Sequence, residues 1–302
     1  MSAISYRNFF AAFLLCMSLM HGHALSEAAA TPTPDPRAFS VNGVVWETDS
    51  ASLRITVENC TIGTSSGYLT TIWMQDPAKQ ICKASSRFHL ELNTAKDLAD
   101  RLPGAALVIN GSGYVSPTYP DIPGNYPGTS ENYYYTPLGS VTVTGGTVYR
   151  CLPGVPYYGL TLQKDGLHLH NGDDPEEVLA LSPIQTWSFY ELCPMIMDGR
   201  IILDETWAFA GRSAARTIIS RLPSGEYQIL TMEKLKLTDA VHVLHETYHP
   251  DWTYDLDGGP SSALFVRDEE SGQMRLLFGA RQRIVDVMGF KELEEVNSEK
   301  GK

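Results

Sequence analysis

From about residue 39 the chain alternates apolar and polar positions. "GVVWET", "SLRITVE" and "GYLTTIWMQ" place β-branched and aromatic residues at every second position, with turn residues between the runs, which predicts strands. "AALVING" has a continuous apolar run, the pattern of a strand buried on both faces. Paired strands recur further on. "GSVTVTGGTVYR" turns on Gly-Gly, "YGLTLQKDGLHLH" on Asp165-Gly166, and "CPMIMDGRIIL" on Asp198-Gly199, all short hairpin signals. "AARTIISRLPSGEYQILTM" reads as a further strand–turn–strand unit, and "RLLFGARQRIVDVMGF" supplies the closing strands.

Helical spacing is scarce. "NTAKDLADRLPG" predicts one helix, capped by Asn93 or Thr94, with Leu98 and Leu102 on one face and Pro103-Gly104 ending it. "TDAVHVLHET" predicts a second, capped by Thr238 or Asp239. Many antiparallel hairpins and few helices imply an α+β fold, a single domain of mainly antiparallel or mixed sheet over residues 38–290, with a charged tail over 291–302.

Composition changes this picture at the ends. Residues 1–24 have the form of a secretory signal: Arg7, an apolar run over 9–20, and small residues ending at Ala24. The run is shorter than the about 20 residues of a spanning helix, so the expectation is an exported chain, secreted or periplasmic, with no membrane insertion after cleavage. "SEAAATPTPDPR" follows as a Pro-rich leader over 25–37. The net charge of −12 argues against nucleic acid as a partner. Four cysteines remain after the leader, Cys60, Cys82, Cys151 and Cys193, and an even number in an exported chain predicts two disulfides. Joining nearest neighbours gives Cys60–Cys82 and Cys151–Cys193.

The chemistry concentrates in "YDLDGGPSSALF", residues 254–265. On a strand end, Asp255 and Asp257 would share a face with Cα atoms about 6.6 Å apart. Gly258 and Gly259 let a ligand approach the backbone. Ser261 and Ser262 could cap a helix or donate to a phosphate. An ordinary turn with solvated aspartates explains the same letters. "VINGSGYV" brings a buried strand to Asn110 and Gly111, and "ARTIIS" puts Arg216 and Thr217 at the head of an apolar strand, where a guanidinium suits phosphate or carboxylate. His168 and His170 share a strand face near Asp173 and Asp174, an arrangement that strand alternation explains without zinc. The long Pro-, Gly- and Tyr-rich stretch 116–137 reads as a functional loop.

Taken in order, "INGSGYV", "QKDGLHL", "IMDGRII", "ARTIIS" and "DLDGGPSSAL" resemble the motifs of the phosphodiester glycosidase family, that of the lysosomal uncovering enzyme. The resemblance spans most of residues 40–290, and "LDGG" followed by two serines carries it furthest. "RQRIV", with Arg283, resembles a late arginine of the family. Three positions depart from the family pattern: Asp255 stands for its Asn, Pro260 for its third Gly, and Ser112 for one Gly of its Asn-Gly-Gly.

The resemblance implies an exported glycosidase that hydrolyses a sugar-1-phosphodiester to free sugar and a phosphomonoester, with no cofactor or metal ligand set. It implies Asp257 as base or nucleophile, Arg216 on the phosphate oxygens, and Asn110 orienting hydroxyls. Asp255, Gly258, Gly259, Ser261, Ser262, Thr217, Gly111 and Arg283 would bind substrate. A phosphomonoester leaves readily, so one carboxylate could suffice, whereas an ordinary glycosidic bond calls for two. Two other classes stay open: a hydrolase of envelope or capsule polysaccharide, in which Asp255 is the second carboxylate, and a non-catalytic carbohydrate-binding protein, in which Asn110, Arg216 and Asp257 would not converge.

Overall fold

Every strand pairing among the described residues is antiparallel. The structure is a computed structural model and describes residues 35, 37–116, 133–151, 157–172, 174–189 and 193–294. An eight-stranded sheet runs in the order Phe39–Asp49, Leu53–Ile62, Ser65–Met74, Tyr227–Leu235, Ala214–Arg221, Trp252–Asp255, Pro194–Met197 and Arg200–Ile201. A five-stranded sheet runs Met274–Gly279, Ala263–Arg267, Ala105–Asn110, Asp286–Lys291 and Ile81–Ser85. A three-stranded sheet, Gly166–Gly172, Tyr157–Gln163 and Gln185–Ser188, lies beside them. With four short helices among the described residues, the architecture is α+β.

Alternation explains the layering. Ile219, Ile229 and Tyr254 of the large sheet meet Leu107, Ile109, Leu264 and Met288 of the five-stranded sheet in one core, which Leu160 and Trp187 of the small sheet also join. The residues between them face the other way. Ile218 and Leu230 pack under the helix Leu237–Tyr248 through Leu237, Ala240, Val241 and Leu244. Val108, Phe265 and Val287 pack with Leu98 of the helix Ala95–Asp100. Each large sheet is thus covered on both faces, which is why Ala105–Asn110 reads as an unbroken apolar run.

Local chemistry sets the turns. Gly145 and Gly146 both have positive φ, 58° and 77°, as do Asp198 and Gly199 at 50° and 71°, the conformation a two-residue hairpin requires. Of the two expected helices, the first, Ala95–Asp100, is capped by Thr94, whose hydroxyl accepts from Asp97 N at 3.1 Å. The second begins before the expected cap: Leu237 opens it, with Lys236 at the capping position and no side-chain cap bond. There Leu237 N donates to Ala210 O at 2.9 Å, so a loop carbonyl replaces the cap.

Two expectations are corrected. The strand carrying the acidic pair ends at Asp255, so Asp257 lies in the following bend and the two do not continue one strand face. Among the described residues no two of the four cysteines form a disulfide. Cys60 lies on the helix-covered face of the large sheet, 3.5 Å from Met232 Sδ, whereas Cys82 packs on the far face of the five-stranded sheet. The shared core stands between them. Cys193 is buried in that core, while Cys151 follows the hairpin strand Thr147–Arg150. The expected leader to residue 34, most of the 116–137 loop, Asp173, and the tail from residue 295 lie outside the described residues.

Candidate active site

The two large sheets meet at Asn110. Its strand is central in the five-stranded sheet, and the side chain at its end is fully buried. The amide Nδ2 donates to the backbone carbonyl of Asp257 at 2.6 Å. The amide Oδ1 accepts from Thr217 Oγ1 at 2.8 Å and from Ala263 N at 2.8 Å. One side chain therefore links the head of the "ARTIIS" strand, the acidic turn, and the strand after it. Backbone bonds reinforce this: Asp257 N donates to Gly111 O at 3.1 Å, and Leu256 N to Thr217 O at 2.9 Å.

Arg216 is buried and directed inward. Its Nε donates to Leu235 O at 3.3 Å, and its Nη2 to Phe209 O at 3.1 Å and Arg212 O at 2.9 Å. Its Nη1 meets Asp255 Oδ2 at 3.2 Å, and the guanidinium stacks on the Phe209 ring at 4.3 Å. Four of its five N–H groups are committed within the protein. Arg216 thus presents no open face to a phosphate and instead holds Asp255.

Both acidic groups are perturbed. Burial pushes the Asp255 carboxyl up to about 7, and the charge and hydrogen bond of Arg216 only partly offset it. Asp255 Oδ1 is buried without a hydrogen-bond partner among the described residues. Asp257 keeps some exposed surface but stands in dense surroundings. Burial pushes it up to about 7 as well, helped by the charges of Asp255 and Asp286 and opposed by bonds from the Ser261 hydroxyl and the Gly258 N–H. A carboxyl titrating near neutrality can give or take a proton at ordinary pH, which suits general acid or base work.

Ser261 is buried, and its hydroxyl bonds Gln282 Nε2 as well as Asp257. Ser262 is also buried, with no partner for its hydroxyl among the described residues. At Gly258 an added Cβ would stand 3.0 Å from Ala215 O, and Gly259 has φ +60 with open space around it. Gly111 has no room at all: a Cβ there would fall 2.1 Å from Asp286 Oδ1 and 2.7 Å from Trp187 Cδ1. Asn110, Gly111, Arg216, Thr217, Asp255, Asp257, Gly258, Ser261 and Ser262 are thus gathered along one contiguous network. Arg283 is not part of it: the side chain is exposed and donates to Leu92 O at 2.9 Å. His168 forms a surface bond with Asp165 at 2.9 Å, away from this network.

One pair escaped the motif reading. Lys83 Nζ and Asp286 Oδ2 form a fully buried ion pair at 3.0 Å. Lys83 also donates to Thr186 O at 2.6 Å, while Asp286 accepts from Ser112 N at 2.6 Å and Ser112 Oγ at 2.8 Å. The pair clamps the turn whose Gly111 carbonyl holds Asp257. Its signal in the sequence is a single charge in each of two apolar strands, "ICKAS" and "DVMGF".

No family model and no curated protein sequence matches the chain. Solved structures do. The catalytic domain of zebrafish N-acetylglucosamine-1-phosphodiester alpha-N-acetylglucosaminidase, auto-inhibited by its pro-peptide, aligns with a TM-score of 0.59 at 15% identity, covering 84% of this chain and 88% of that one. A hypothetical protein from Synechocystis aligns with a TM-score of 0.51 at 13% identity, covering 83% of this chain and 64% of that one. At these identities the likeness is one of fold.

Proposed function

We propose that this protein is an exported glycosidase that hydrolyses a sugar-1-phosphodiester. Water adds its oxygen to the anomeric carbon, the bond from that carbon to the phosphate oxygen breaks, and the phosphate departs as a monoester with the bonding electron pair. Asp257 takes the proton from water, or attacks the anomeric carbon itself and is released by water in a second step. Asn110 and Gly111 position its backbone. Arg216 holds Asp255 and the strand that carries it. The observation that supports this reading most is the fold shared with the zebrafish catalytic domain over 84% of the chain, a protein named for cleaving N-acetylglucosamine-1-phosphodiesters. The signal-like residues 1–24 support export. Among the described residues no helix is long and apolar enough to cross a membrane.

A second reading is favoured by Asp255. Its carboxyl, at about 7, would keep a proton near neutrality and could donate it to a poor leaving group, as hydrolysis of a phosphate-free polysaccharide requires. The test offers the purified protein the methyl phosphodiester of N-acetylglucosamine beside neutral glycans and follows free sugar. Release from the phosphodiester upholds the first reading. Turnover of a neutral glycan alone overturns it in favour of the second.

A further inference from the structure

The reading above requires a cationic partner for the phosphate, and Arg216 is enclosed. A cleft of about 340 Å³ is lined by the next residues of the same turn, Gly259 and Pro260. Its walls include Arg212, Ala215, Lys234, Gly259, Pro260 and Arg281. We propose that this cleft is the subsite for the phosphate and leaving-group half of a phosphodiester substrate, an inference that rests on the function proposed above.

Charge is the first argument. Arg212, Lys234 and Arg281 are exposed, and among the described residues none makes an ion pair. Glu233 is the only carboxylate of the cleft close to the three, since Asp and other Glu residues are absent from its lining, so three positive charges less one negative leave a net of +2. That concentration runs against a chain whose net charge is −12. Unpaired cations around a concave site raise the local concentration of anions and bind phosphate oxygens strongly.

Placement is the second argument. Gly259 lies two residues beyond Asp257 and has no atom within 4 Å of where a Cβ would stand, so the cleft is free of side-chain bulk on that side. Arg281 N donates to Pro260 O at 3.0 Å, which fixes one cation beside the turn. Arg212 O accepts from Arg216 Nη2 at 2.9 Å, which ties a second to the buried guanidinium behind Asp255. The cleft thus borders the turn that follows Asp257, through Gly259 and Pro260, and reaches Asp255 through the Arg216 side chain. Cations here would stabilise the charge that gathers on the leaving phosphate as the bond to the anomeric carbon breaks. A neutral glycan would gain nothing from them, so the cleft would also select phosphodiesters.

The test compares wild type with a triple variant, Arg212→Glu, Lys234→Glu and Arg281→Glu, whose fold is checked by circular dichroism. Steady-state hydrolysis of the methyl phosphodiester of N-acetylglucosamine and calorimetric titration with inorganic phosphate are measured at low and moderate salt. The expected result is at least a tenfold rise in KM with a smaller change in kcat, loss of inhibition by phosphate, and a salt dependence present only in wild type. Unchanged KM and kcat in an active triple variant would overturn the subsite and leave the proposed reaction standing. A wild type that hydrolyses no phosphodiester would instead sink the reaction. The cleft is then judged on phosphate alone: binding to wild type and not to the variant upholds an anion site, and equal binding to both overturns it.

Discussion

Asn110 grips Asp257 by its backbone: the amide nitrogen donates to the Asp257 carbonyl at 2.6 Å, and the Asp257 N–H returns to the carbonyl of the next residue, Gly111, at 3.1 Å. The end of one sheet's central strand thereby sets the position of a carboxyl carried by the other sheet. The main chain of Asp257 is thus held by both sheets, while its carboxyl is bonded by the Ser261 hydroxyl and the Gly258 N–H.

Replacing Asn110 by alanine strands three buried partners at once, the Asp257 carbonyl, the Thr217 hydroxyl and the Ala263 N–H. Each unsatisfied group costs about 1–3 kcal/mol, so Asn110→Ala is expected to lose about 3 kcal/mol or more in urea unfolding. A loss under about 0.5 kcal/mol, the scale of a surface change, would show that the network does not hold the turn.

Asp257→Asn keeps the shape and removes the proposed base or nucleophile. Turnover of a sugar-1-phosphodiester should fall by at least about a hundredfold while the circular dichroism spectrum is unchanged. In wild type, kcat/KM should rise with pH up to about 7 and then level, because the acting form is the ionised carboxyl. Near wild-type turnover in the variant would remove Asp257 from the chemistry.

Stability should move the opposite way with pH. Asp255 and Asp257 are both raised to about 7, above their usual carboxylate value. Between about pH 4 and 7 the unfolded chain releases these protons while the folded protein keeps them, so raising pH favours unfolding. The stability they contribute is fully present below the unfolded value and is lost as pH rises through the folded one. Asp97, Asp165, Asp204 and Asp268 are lowered by hydrogen bonds and act in the other direction only at more acidic pH. Urea midpoints should therefore decline from about pH 4.5 to 7, and the double variant Asp255→Asn, Asp257→Asn should flatten that decline. An equal slope in both proteins would count against the raised carboxyls.

Gly111→Ala tests the clamp from the other side. The added methyl would press on Asp286 Oδ1 and Trp187 Cδ1, neither of which can swing away: Asp286 is fixed by Lys83 and Ser112, and Trp187 is buried in the core. Overpacking of this kind costs about 1–3 kcal/mol, and displacement of the Gly111 carbonyl should also lower kcat. A variant with unchanged stability and kcat would show that the turn has slack.

What could be read from the sequence was what is local. Gly145-Gly146 and Asp198-Gly199 turn where their positive φ angles demand it, and alternation marks the strands because each sheet buries a defined face. The acidic stretch was visible as a concentration of carboxylates and glycines. Its geometry was not, because the bend after Asp255 is imposed from outside: Leu256 bonds Thr217 on one sheet and Asp257 bonds Gly111 on the other. Arg216 was legible as a cation at the head of an apolar strand but not as an enclosed one, since the carbonyls that take its N–H groups come from the loop just before it, Phe209 and Arg212, and from the neighbouring strand, Leu235, in an arrangement that no residue pattern marks. Lys83 and Asp286 went unread because a lone charge in an apolar strand gives no hint of its partner.

The four separated thiols make the chain its own reporter of opening. Cys60, Cys151 and Cys193 are buried and Cys82 is half-buried, and burial pushes the thiols of Cys60 and Cys151 up to about 12 and that of Cys82 to about 11. Thiols raised this far are protonated and react slowly with alkylating reagents until the structure around them opens, the fully buried ones most of all. Because Cys60 and Cys82 stand on the outer faces of two different sheets, the order in which they become modified would tell which half of the sandwich loosens first.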